Sequence, residues 1–178
     1  VTGDAAVIKS ADKLVLPGVG AFKDAAEKLF STGLDKVIKE EVKNGKPLLG
    51  ICLGMQMLFE KSFEYGEHTG LGLIEGNSGS MQGKIPSDLN IPHIGWNGLN
   101  LKEQSPVLKY INEGDCVYFV HSYYAADCDD SVTSTAEYGI PITASVQKYN
   151  IFGCQFHPEK RGHVGLGFFR AFCELGER

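Results

Sequence analysis

Apolar positions in the first half of the chain follow two alternating spacings. Short, wholly apolar runs are separated by stretches in which apolar residues return every three or four places. Lys13-Leu14-Val15-Leu16 predicts a strand, ended by Pro17-Gly18-Val19-Gly20. Phe22, Ala25, Ala26, Leu29 and Phe30 then predict a helix that Gly33 breaks. Leu34, Val37, Ile38 and Val42 predict another, closed by Asn44-Gly45. Pro47-Leu48-Leu49-Gly50-Ile51 predicts a buried strand, and residues 53–60 predict a helix directly behind it.

The second half changes period. Residues 117–121, 133–137, 142–146 and 151–156 are rich in β-branched and aromatic side chains and bounded by turn residues, so they predict strands. Residues 62–87 are glycine-rich and predict loop. The final helix is expected to carry Leu166, Phe169 and Cys173 on one face, with Phe168, Phe172 and Leu175 beside it. The pattern predicts one α/β domain over residues 1–178, with a parallel core sheet and an added antiparallel portion. In such sheets sites form at the carboxyl ends of strands. Cys52, the 17–20 loop and the segment after Phe156 all fall there.

Composition narrows the function classes. The 178 residues are 43% hydrophobic and 22% charged, ordinary for a globular domain with a sizeable core. A net charge of −5 argues against nucleic acid as the main partner, and no apolar run approaches membrane-spanning length. The start, Val1-Thr2-Gly3-Asp4, lacks the basic and apolar parts of a signal peptide, and also an initiator methionine. Five scattered cysteines without a C-x-x-C pair argue against a zinc site or disulfide framework and for a reducing, cytoplasmic setting. Most are expected to fill the core: Cys116 and Cys154 in strands, Cys173 on the apolar face of the last helix.

The candidate chemistry centres on Gly50-Ile51-Cys52-Leu53-Gly54. A strand, a sharp turn and a helix with the reactive atom at the turn is the nucleophile-elbow layout. Glycine two places either side leaves room where a Cβ would clash with the neighbouring strand or helix. A helix N-terminus behind the sulfur favours thiolate. The other reading is a small core cysteine. A cysteine nucleophile needs a base and an orienting group, and Phe156-His157-Pro158-Glu159 supplies both after an apolar strand. Strand geometry would project His157 and Glu159 the same way; the alternative is a turn with a solvated Glu. Pro17-Gly18-Val19-Gly20 reads either as a plain strand-to-helix turn or as a loop whose amides, with that of Leu53, meet an oxyanion. His121, at a strand end, is a rival base. His163 reads as a solvated first-turn residue, and Trp96, between Gly95 and Asn97, as a turn residue with an exposed or interfacial ring.

Five motifs taken together resemble the class I (triad-type) glutamine amidotransferases. They are Pro17-Gly18-Val19-Gly20-Ala21-Phe22, Gly50-Ile51-Cys52-Leu53-Gly54-Met55-Gln56, His93-Ile94-Gly95-Trp96-Asn97, Tyr118-Phe119-Val120-His121-Ser122-Tyr123 and Phe152-Gly153-Cys154-Gln155-Phe156-His157-Pro158-Glu159-Lys160. Within that class they are similar to the glutaminase subunits of imidazole glycerol phosphate synthases of histidine biosynthesis. The resemblance implies a three-layer, flavodoxin-like fold with a mostly parallel central sheet and added antiparallel strands. It implies a Cys52–His157–Glu159 triad that hydrolyses glutamine to glutamate and ammonia, with an oxyanion hole from Leu53, Val19 and Gly20. Gln56, Glu64, Ser122 and Tyr123 would bind the substrate, Glu64 through its α-ammonium. Trp96 and Lys160 would face the partner, a (β/α)8 cyclase that consumes the ammonia. No metal or organic cofactor is implied.

Two departures accompany the resemblance. Members of the family begin with a strand and helix whose loop reads acidic-Tyr-Gly-x-Gly-Asn, and that unit is expected to be missing here. Arg161 stands where the family usually has Ser, at the border of the interface. Three other functions remain open: a glutaminase serving another synthase (of the GMP, anthranilate or carbamoyl phosphate type), a non-catalytic binding subunit, and a cysteine peptidase on a similar sheet.

Overall fold

The computed structural model describes residues 1–160 and 162–176. Its helices are α1 (Ala5–Ser10), α2 (Phe22–Ser31), α3 (Leu34–Lys43), α4 (Leu53–Leu58) and α5 (His163–Cys173). Its strands are β1 (Leu14–Leu16), β2 (Leu48–Ile51), β3 (Lys61–Ser62), β4 (His68–Thr69), β5 (Asn77–Ser80), β6 (His93–Leu101), β7 (Cys116–His121), β8 (Tyr123–Ala126), β9 (Val132–Glu137), β10 (Pro141–Lys148) and β11 (Ile151–Cys154). Short 3-10 turns cover Pro106–Leu108 and Asp129–Ser131. No helix among the described residues is long and apolar enough to cross a membrane.

The main sheet runs β1-β2-β11-β10-β9-β6-β7. β1, β2 and β11 are mutually parallel; the pairings from β11 to β7 are antiparallel. The expected division into a parallel part and an antiparallel addition is therefore present, and the antiparallel part holds the larger number of strands. β2 lies between two parallel neighbours and all four of its residues are buried, which is why its sequence reads as one unbroken apolar run.

Alternation along β2 distributes the core between two faces. Leu49 and Ile51 join Phe152, Cys154 and the α5 side chains Phe168 and Phe172 on one side. Leu48 joins Ile8, Ile38, Val42, Met55 and Leu58 of α1, α3 and α4 on the other. Helices on both faces of the sheet make three layers.

Four local expectations are corrected. The helix behind Cys52 ends at Leu58 rather than residue 60, because the 70–74 segment takes over its terminal carbonyls: the Leu71 amide donates to Met57 O, and those of Leu73 and Ile74 to Leu58 O. The glycine-rich 62–87 stretch is not all loop, since β3, β4 and β5 join β8 in a second sheet. Strands of two residues, and an Asn-Ser-Gly-Ser strand with no large side chain, carry no periodic signal. α5 buries Gly165, Phe168, Ala171 and Phe172, leaving Leu166 and Cys173 exposed. Apolar residues surround this helix, and its facing is set by Gly165, where a Cβ would overlap the Pro158 carbonyl. Finally, Cys116, at the start of the edge strand β7, is exposed rather than core, whereas Cys128 and Cys154 are buried.

Candidate active site

The elbow is forced by its neighbours. The Cys52 amide donates to Cys154 O (2.8 Å), continuing the β2–β11 ladder, while its carbonyl accepts from the Gln56 amide (3.1 Å) to open α4. Joining strand to helix within one residue places Cys52 at φ 53°, ψ −112°, a region that L-residues seldom occupy. A Cβ at Gly50 would lie 2.6 Å from Gly54 O, and one at Gly54 would overlap Leu16 O on β1. Both glycines are there for the reason the sequence suggested.

The sulfur is a thiol in this state. Cys52 is raised to about 11, chiefly by burial, with the Glu159 carboxylate acting in the same direction. The Leu53 amide and the Gln155 side chain, whose Nε2 donates to Sγ at 3.6 Å, pull the other way and are outweighed. The thiolate expected from the helix terminus is thus corrected: α4 has only six residues, and dehydration of the sulfur exceeds its field.

His157 Nδ1 lies 2.6 Å from Glu159 Oε1. The two meet through a turn, not along a strand: β11 ends at Cys154, the His157 amide donates to Tyr118 O, and the Lys160 amide donates to His157 O. His157 is buried and Glu159 half exposed. The rival base His121 is occupied at both nitrogens. Its Nδ1 lies 2.8 Å from Tyr123 O and its Nε2 lies 3.1 Å from His93 Nδ1, and burial lowers it to about 4. His163 is solvated at the start of α5, as expected.

Cys52 and His157 line one cavity of about 640 Å³, within the usual range for small-molecule sites. Leu53, Val19, Gly20, Gln56, Glu64, Ser122, Tyr123, Glu159 and Lys160 line it too, so every expected catalytic, oxyanion and substrate residue meets there. The 17–20 loop packs on the elbow, with Gly18 against Leu53, and Gly20 takes φ 94°. Glu64 already accepts the Phe22 amide through Oε2 at 2.7 Å. Gln56 Nε2 donates to Tyr123 O and to Gln155 Oε1, both at 3.0 Å.

Gln155 was missed by sequence reasoning. It is fully buried and links Gln56 to the sulfur. Its position directly before the Phe-His-Pro-Glu run was the available signal. Trp96 is corrected from turn to strand. β6 pairs with β7 over 93–98 and with β9 over 99–101, and both neighbours of Trp96, Gly95 and Asn97, are paired strand residues. The ring is still half exposed, edge-on to Tyr118, its cross-strand partner. Lys160 Nζ stands 5.8 Å from the Tyr118 ring centre. Arg161 lies outside the described residues.

The family model "Glutamine amidotransferase class-I" matches residues 4–172. The "Imidazole glycerol phosphate synthase subunit HisH" of Caldanaerobacter subterraneus subsp. tengcongensis is 50% identical over 176 residues, covering 98% of this chain and 85% of that one. The protein of the same name from Wolinella succinogenes is 47% identical, covering 93% and 82%. A solved structure titled "Crystal structure of glutamine amidotransferase" superposes with a TM-score of 0.73 at 18% identity, covering 98% of this chain and 84% of the other.

Proposed function

The chain belongs to the class-I glutamine amidotransferases, and from that premise we propose that it is the glutaminase subunit of an imidazole glycerol phosphate synthase, acting through Cys52, His157 and Glu159. The observation that carries the proposal is the single cavity bounded by the elbow sulfur, the His157–Glu159 couple, Gln56 and Glu64.

The chemistry follows from the groups present. Glutamine enters with its α-ammonium toward Glu64 and its carboxamide beside Cys52. His157 takes the thiol proton as sulfur attacks the carboxamide carbon, so the high resting affinity of Cys52 for its proton is overcome only at the moment of reaction. Glu159 holds the imidazole orientation and stabilises the imidazolium. The developing oxyanion meets the Leu53 amide and an amide of the 17–20 loop. His157 returns the proton to the departing nitrogen, which leaves as ammonia. It then deprotonates the water that cleaves the thioester, giving glutamate and restoring the thiol.

The partner is a (β/α)8 cyclase that uses the ammonia away from bulk water. Its docking face includes Trp96, with Ile94 also exposed two places before it on β6, and Lys160 nearby over Tyr118. Docking reorients the 17–20 loop, whose glycines either side of Val19 leave its peptide planes free to turn.

The test is ammonia release from glutamine with and without the cyclase and its ligand. Turnover is expected to be low for the isolated chain and high in the complex; equal rates would refute partner activation. Cys52→Ala is expected to lose glutamine-dependent synthesis while the complex keeps ammonia-dependent synthesis. Retained glutamine use would remove Cys52 from the mechanism.

A further inference from the structure

His93 and His121 form a buried pair on β6 and β7, directly cross-strand, at 0% and 6% exposure. Three hydrogen-bond links run through the two rings: His93 Nε2 to Asn97 Oδ1 (2.8 Å), His93 Nδ1 to His121 Nε2 (3.1 Å) and His121 Nδ1 to Tyr123 O (2.8 Å). Both outer partners are acceptors. Tyr123 offers a backbone carbonyl. Asn97 offers its amide oxygen, because its Nδ2 donates to Glu137 O at 3.1 Å and the reversed amide would set two oxygens against each other.

Each outer link therefore takes one ring proton. Two neutral imidazoles carry only two, which would leave two bare lone pairs facing each other 3.1 Å apart between two buried rings. We propose that a third proton lies between His93 Nδ1 and His121 Nε2, so that the pair is one delocalised imidazole–imidazolium cation that positions the substrate wall at Tyr123.

The surroundings decide how firmly that proton is held. Burial lowers both rings against the pull of their acceptors Asn97 and Tyr123, and His121, with His93 and His157 beside it, stands at about 4. What holds the third proton is the bond between His93 Nδ1 and His121 Nε2, which exists only with that proton in place and removes the lone-pair clash. Phe119 and Tyr138 stack on the His93 ring with centroids 4.9 and 3.9 Å away, and the Tyr138 hydroxyl is turned to Asn90 O. The Glu137 side chain is exposed, while the carboxylates of Glu64 and Glu159 and the opposing cation of Lys160 line the same cavity as His121.

The functional link is Tyr123 O, which accepts both His121 Nδ1–H and Gln56 Nε2–H. Removing the shared proton lets the rings part, and the carbonyl that aims Gln56 moves with them. His93 and His121 are thus positioning residues for glutamine, a role that rests on the proposed function.

Two measurements test this. Ring-nitrogen NMR on the ¹⁵N-histidine-labelled chain counts protons without reference to activity. Three protonated nitrogens on the pair at neutral pH are expected, and two would overturn the proposal. Glutaminase kinetics of the cyclase complex then read the link. KM for glutamine is expected to rise about tenfold as pH climbs through the loss of the shared proton. His93→Asn, whose Nδ2 stands on Cγ as the ring Nδ1 does and donates at every pH, is expected to abolish that rise; His93→Phe is expected to show the high KM throughout. An unchanged pH limb in His93→Asn would refute the positioning role. A wild-type complex that releases no ammonia would instead refute the proposed function, while the proton count would still decide the pair.

Discussion

His157 and Glu159, two residues apart, are joined by a 2.6 Å contact between Nδ1 and Oε1. That link fixes which imidazole nitrogen carries the proton and leaves the other for the thiol. Replacing the carboxylate by an amide removes the charge that stabilises the imidazolium. Glu159→Gln is expected to lower kcat of the complex by about 10²- to 10⁴-fold with KM within about threefold, because the effect is confined to the transition state. A loss below about fivefold would mean that Glu159 does not orient the base.

The link was legible in the sequence although the backbone that makes it was not. Histidine and glutamate two apart suggested a strand, whereas a turn brings them together. The elbow was fully legible, because only glycine tolerates the approach of Gly54 to Leu16 and of Gly50 to α4. The second sheet was hidden, since Asn77–Ser80 pairs through its backbone and offers no apolar pattern to read. The sulfur's state was also hidden: a helix N-terminus is visible in sequence, but the burial that outweighs it is a property of the folded core.

That burial gives a pH prediction. A thiol raised to about 11 keeps its proton throughout the neutral range, so the reactive thiolate grows about tenfold per pH unit with no levelling below pH 10. Alkylation of Cys52 by iodoacetamide in the isolated chain, followed by peptide mass spectrometry, is expected to climb in this way. The exposed Cys116 and Cys173 report reagent quality in the same digest. Glu159→Gln is expected to shift the Cys52 curve to lower pH, since that carboxylate opposes the thiolate. A plateau near pH 8 would show that the sulfur is already ionised at rest.

The elbow glycines make a stability prediction with an internal control. Gly54→Ala sets a methyl group into the Leu16 carbonyl, and Gly50→Ala sets one 2.6 Å from Gly54 O; neither obstacle is a movable side-chain tip. Each is expected to lose more than about 3 kcal/mol in urea unfolding or to fail to fold. Gly79→Ala, whose nearest neighbour would be the Asn77 side chain at 3.7 Å, is expected to stay within about 0.5 kcal/mol. Equal losses at all three would assign the effect to general intolerance of the fold rather than to the elbow.

Glu64 separates two tasks that its carboxylate performs at once. Oε2 accepts the Phe22 amide at 2.7 Å, at the start of α2, where the N-cap residue Ala21 has no side-chain acceptor. The proposed second task is to hold the substrate ammonium. Glu64→Gln keeps an oxygen for the amide but removes the charge. It is expected to raise KM for glutamine by about tenfold or more, with stability changed by less than about 0.5 kcal/mol. Glu64→Ala removes both and is expected to cost about 1 kcal/mol of stability as well, as the loss of a helix cap does. If Glu64→Gln left KM unchanged while Glu64→Ala still destabilised the chain, the residue would be a cap alone, and the ammonium would have to be held elsewhere in the cavity.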